Sequence, residues 1–114
     1  MTVEDLKAYG ADTAQGLERC MGMESMYLRL VGMIPGDANF GKLEEALEAG
    51  DLKAGFEAAH ALKGAAANLA LTPLLTPVSE ITELLRAGTQ TDYAPLLEKI
   101  RTAREGLERL CVQG

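Results

Sequence analysis

Glycine and proline punctuation constrains this chain more than any other feature. Gly10, Pro35-Gly36, Gly50, Thr72-Pro73 and Gly88 separate blocks whose apolar residues recur at helical spacing. No block alternates with the period of two that a half-buried strand shows, so the expected fold class is all-α. With 114 residues the chain has room for a single domain, residues 1–114, with one hydrophobic core. Residues 1–10 carry Thr2 and Asp5 in capping-box spacing and read as a short N-terminal lid helix. Residues 12–112 read as an antiparallel up-and-down bundle of four long helices.

Within that bundle, the block from Asp12 to Ile34 lines up Leu17, Cys20, Met21, Tyr27, Leu28 and Val31 and is expected to be one helix. Gly16 and Gly22 inside it each cost about 1 kcal/mol relative to alanine, which packing must offset. The next block starts near Asp37 or Asn39, places Phe40, Leu43 and Leu47 on one side and stops at Gly50. Asp51 caps a fourth helix running to about Leu71, and Pro73 suits the first turn of a fifth. Pro77 lacks an N–H and should kink that first turn or move the start to Thr76. A last helix starts around Asp92 with Tyr93, Leu96, Leu97, Ile100, Leu107 and Leu110 on its seam.

Composition narrows the partners. A net charge of -6 repels phosphate backbones and anionic lipid, and with 4 % aromatics and no Trp there is little surface for stacking bases. Nucleic acid and membrane are therefore set aside, and the expected partner is another protein. The most apolar stretch, Ala65 to Val78, is interrupted by Pro73 and Pro77 and is too short to span a bilayer. The start MTVEDLKAYG has neither a basic region nor an apolar signal core, so a cytoplasmic monomer is expected. Cys20 and Cys111 are read as small buried hydrophobes within helices rather than as a disulfide.

His60 is the only histidine. On a wheel of about 100° per residue, Leu52, Gly55, Phe56, Ala59, Leu62, Ala66 and Leu69 share one arc that must face the core. His60 falls outside that arc, flanked by Lys53 and Gly64, with Glu57 and Asn68 beyond. Lys63 lies at the boundary, where its stem can rest on apolar surface while its ammonium reaches out. By itself an exposed histidine is usually only a solvated side chain.

The stretch AHALKGAAANLAL resembles the signature of histidine-containing phosphotransfer (HPt) domains, in which Leu, Lys and Gly follow the phosphorylated histidine at two, three and four residues. Those positions are His60, Leu62, Lys63 and Gly64. The sequence departs from the family at Ala70, where glycine is frequent. The resemblance implies a phosphoryl carrier relaying the group between receiver-domain aspartates, or from a histidine kinase, in a two-component phosphorelay. Phospho-His60 would be the intermediate.

The implied partners are a response-regulator receiver domain, a hybrid histidine kinase, or both. No cofactor of its own is implied, since Mg2+ is expected only on the receiver. His60 would accept the phosphoryl group, Lys63 would offset its charge, and Gly64 would leave room for the receiver. Lys53, Glu57, Ala67 and Asn68 complete the expected binding face.

Other chemistries lack their parts. Glu57-x-x-His60 has di-iron spacing, but the second histidine such a site needs is absent. Cys20, His60 and Cys111 lack the paired spacing of a zinc site, so no metal site is expected. Ser25 and Ser79 have no nucleophile elbow, and no phosphate-binding loop of the GxxxxGK[ST] type occurs. The chain is thus not expected to be an enzyme with its own ATP site. The alternatives are a degenerate HPt-like adaptor that binds partners without taking phosphate, and a self-associating bundle using Met21, Met23, Met26 and Met33.

Overall fold

Thr2 starts the first helix through a capping box. Its hydroxyl accepts the Asp5 N–H at 3.1 Å, and the Asp5 carboxylate accepts the Thr2 N–H at 2.8 Å. The computed structural model describes residues 1–113; the last residue of the expected domain, Gly114, lies outside them. The described residues form α1 (Val3–Tyr9), α2 (Thr13–Arg19), α3 (Glu24–Gly32), α4 (Asn39–Glu48), α5 (Leu52–Asn68), α6 (Thr72–Arg86) and α7 (Ala94–Gln113), with no strand among them.

α5 packs against both α4 and α6, α6 packs on α7, and α1 rests on α7 and α2. The α5 side chains Ala58, Ala59, Leu62 and Ala66 meet Leu43, Leu74, Val78, Ile81 and Leu85 in one core that also takes in Leu6, Tyr27, Val31, Ile100 and Leu107. Two tyrosine hydroxyls reach backbone carbonyls of other helices or turns, as their withdrawal from solvent requires. Tyr27 donates to the Leu69 carbonyl at 2.9 Å, and half-buried Tyr9 donates to the Ala103 carbonyl at 2.8 Å, pinning α1 to α7. Burial pushes the Tyr9 phenol up to about 12.

The block expected to be one helix from Asp12 to Ile34 is instead two. α2 stops at Arg19 because Met21 and Gly22 both turn left-handed, with φ of 56° and 74°. Gly22 N–H then bonds to the Leu17 carbonyl and Met21 N–H to the Glu18 carbonyl, a Schellman stop. Cys20 is consequently a buried helix cap rather than a helix-interior residue, Cys111 lies on α7 half-buried, and both thiols are free. α3 ends at Gly32, ahead of Pro35-Gly36.

α5 ends three residues before the expected Leu71. Ala70 adopts φ 55°, and the Leu71 and Ala70 N–H groups bond to the Ala66 and Ala67 carbonyls. The turn for which the family often uses glycine is therefore made with alanine. Pro77 neither delays nor truncates α6, which starts at Thr72 and buries Pro77 in its interior. A residue-77 N–H would bond to the Pro73 carbonyl, and proline has no N–H to make that bond. α7 starts at Ala94, whose N–H is taken by the Asp92 carboxylate at 3.0 Å.

Candidate functional site

Asp51 sets the start of α5, its carboxylate accepting the Ala54 N–H at 3.0 Å. The helix then runs for 17 residues, with its small-residue face buried between α4 and α6. That burial fixes which way the other face looks. His60 is exposed, and so are Lys53, Glu57, Gly64 and Asn68. A Cβ added at Gly64 would meet nothing within 4 Å, so no packing within this chain requires glycine there.

Phe56 was expected in the core arc, but it is only half-buried. Its ring lies beneath the imidazole of His60, with centroids 5.5 Å apart and planes 19° from parallel. The residues one turn apart on a helix are neighbours, which is why positions 56 and 60 meet. Arg86 of α6 sits over the same Phe56 ring, its Cζ 5.0 Å from the centroid.

Lys63 does not extend freely into solvent. Its Nζ lies 3.3 Å from Oε1 of Glu83 on α6, and its side chain is 34 % exposed. The Arg86 Nε donates to the other Glu83 oxygen, Oε2, at 3.0 Å. The hydrogen bond from Arg86, followed by that from Lys63, holds the Glu83 carboxyl below its ordinary range. His60, Phe56, Lys63, Glu83 and Arg86 thus form one connected cluster across α5 and α6.

The remaining expected binding residues separate. Lys53 lies two turns before His60 on the exposed side of α5. Glu57 lines a groove between α4 and α5 with Asn39, Lys42, Glu45 and Ala54. Ala67 is half-buried and gives its carbonyl to Arg19 Nη1 at 2.9 Å, so it serves the end of α5. Asn68 borders an apolar groove lined by Leu30, Met33, Ile34 and Ala65.

Phe56, Glu83 and Arg86 were not singled out from the sequence. Glu83 and Arg86 have the i, i+3 spacing of a helix-surface pair, which was the available signal. Their meeting with Lys63 depends on how α5 packs on α6.

Among the described residues no three His, Cys, Asp or Glu side chains come together to hold a metal ion, and no helix is long and apolar enough to cross a membrane. What the cluster offers chemically is a nucleophilic imidazole on an open helix face with cationic side chains close by. No curated protein and no solved structure matches the chain. The Hpt domain family matches residues 36–111, a stretch that takes in α4, α5, α6 and α7 through Cys111. Over that stretch, which is most of its length and includes His60, the chain belongs to the Hpt domain family.

Proposed function

We propose that this protein relays a phosphoryl group through His60, taking it from a receiver-domain aspartate or a histidine kinase and passing it to a receiver domain. Membership in the Hpt domain family gives a phosphotransfer role in two-component signalling. The observation that carries the assignment to His60 is its exposure on α5, one turn from a glycine with open space around it.

In the transfer a ring nitrogen attacks phosphorus, the P–O bond to the donor aspartate breaks and the carboxylate leaves. The new P–N bond holds the group and the ring proton passes to solvent. A P–N bond of this kind is reactive enough to give the group up again. Lys63 supplies positive charge beside the added phosphate. Lys53, Glu57 and Asn68 border the receiver on the same helix.

The architecture that serves this is an antiparallel four-helix bundle of α4, α5, α6 and α7, with α1 as a lid. We read the protein as a cytoplasmic monomer and phosphoryl carrier, with Mg2+ belonging to the receiver. The test is exposure to a phosphorylated receiver, followed by analysis of the chain for acid-labile, base-stable phosphate. His60→Gln should fold and remain unlabelled. A degenerate adaptor would bind the receiver yet show no phosphate even with His60 intact.

A further inference from the structure

Glu83 is an exposed carboxylate with two cationic partners, one of them the lysine nearest the phosphoryl acceptor. We propose that Glu83 is a positioning residue that competes with the phosphoryl group for Lys63, so that loading His60 exchanges the Lys63–Glu83 ion pair for a Lys63–phosphate pair. The proposal rests on the reading of His60 as acceptor.

Three features of the cluster support the exchange. First, Lys63 lies one turn beyond His60 on the same helix, so its flexible stem can carry the ammonium from Glu83 to a group on the imidazole. Second, the pair is partly solvated, and such a pair is weak, whereas a phosphoryl group brings nearly two charges and three strong acceptor oxygens. Third, Glu83 keeps a partner when Lys63 leaves, because Arg86 holds its Oε2 at 3.0 Å. Arg86 is itself anchored over Phe56, the ring stacked on His60, so the acceptor and the retained pair are fixed to one side chain.

The consequence is a carrier that does not hold its cargo too tightly. With Glu83 present, Lys63 divides its time between two anions and the phosphohistidine stays labile. Without Glu83, the ammonium rests on the phosphate.

The test loads the full chain with phosphoramidate and follows the decay of phosphohistidine by 31P NMR near neutral pH. In the loading step the phosphoramidate P–N bond breaks, the imidazole P–N bond forms, and ammonia leaves with the ring proton. For an exposed ion pair the competition is modest, and Glu83→Gln should lengthen the phosphohistidine lifetime about threefold. Glu83→Asp, which keeps the charge, should stay near wild type. In a Lys63→Ala background Glu83→Gln should have no effect, a dependence that a merely structural role would not produce.

Equal lifetimes in wild type and Glu83→Gln would overturn the proposal while leaving the His60 assignment standing. Equal lengthening with and without Lys63 would also overturn it, since the effect would then be simple removal of a nearby charge. Failure of the wild type to take phosphate on His60 would overturn the His60 assignment, and this proposal with it.

Discussion

A Cβ at position 64 would meet nothing within 4 Å, whereas one at position 16 would lie 2.5 Å from the Tyr27 ring. Helix propensity alone favours alanine over either glycine by about 1 kcal/mol. At position 64 nothing opposes that gain, so Gly64→Ala should raise stability by about 1 kcal/mol in thermal unfolding. Gly64→Leu should also preserve the fold but slow transfer from a receiver, because the side chain fills the approach beside His60. Wild-type transfer in that variant would show that the receiver comes from another side. At position 16 the gain is overridden. Tyr27 is fully buried and tied to Leu69, so its ring cannot retreat, and Gly16→Ala should destabilise the protein by about 1–3 kcal/mol. A shift of the urea midpoint in the opposite direction would contradict this packing account. The outward placement of His60 and Gly64 was legible from a wheel because it depends on one helix alone. The pairing of Lys63 with Glu83 was not legible, since it depends on the register between α5 and α6.

Five helices end in the same hydrogen-bond pattern, and what differs is the residue that turns left-handed: Gly10 after α1, Gly50 after α4, Gly88 after α6, Met21 after α2 and Ala70 after α5. The glycine stops could be read in the sequence. The stop at Met21 could not, because an ordinary side chain carries no mark of a left-handed backbone and Gly22 beside it reads equally as a glycine inside one longer helix. A left-handed conformation costs a non-glycine residue about 1–2 kcal/mol. Met21 is 79 % exposed and surrenders little packing, so Met21→Gly should raise stability by about 1 kcal/mol after the added freedom of the unfolded chain is counted. Ala70 is buried, and losing its methyl costs about 0.8 kcal/mol, so Ala70→Gly should be close to neutral. Urea unfolding of the two variants side by side checks the contrast.

The docking of α1 should also respond to pH. Tyr9 ionises in the folded protein only at about 12, above its ordinary 10.0. A raised value means that the neutral phenol's contribution is complete below pH 10.0 and is lost as pH rises through about 12. Tyr9→Phe removes the bond to Ala103 and should cost about 1 kcal/mol at neutral pH, and its stability should fall less steeply than wild type across that alkaline window. Parallel pH profiles would argue against a Tyr9 phenol desolvated by burial.

Across the whole molecule, the family match begins at residue 36, so α1, α2 and α3 lie before it. These helices nonetheless hold the end of α5. Arg19 donates to the Ala67 carbonyl, Tyr27 to Leu69 and the Asp12 N–H to Ala70. The helix that carries His60 is thus capped at its start by its own Asp51 and clamped at its end by the N-terminal segment. Rigidity of that kind would suit the proposed role of His60, in which the imidazole meets a receiver's aspartate in line. The most direct measurement is to mix the protein with a receiver phosphorylated on its aspartate and map the transferred phosphate by mass spectrometry under basic conditions. The account predicts a single modified site, His60, with none in a folded His60→Gln variant. Phosphate that persists in His60→Gln, or a wild type that takes none while binding the receiver, would contradict it.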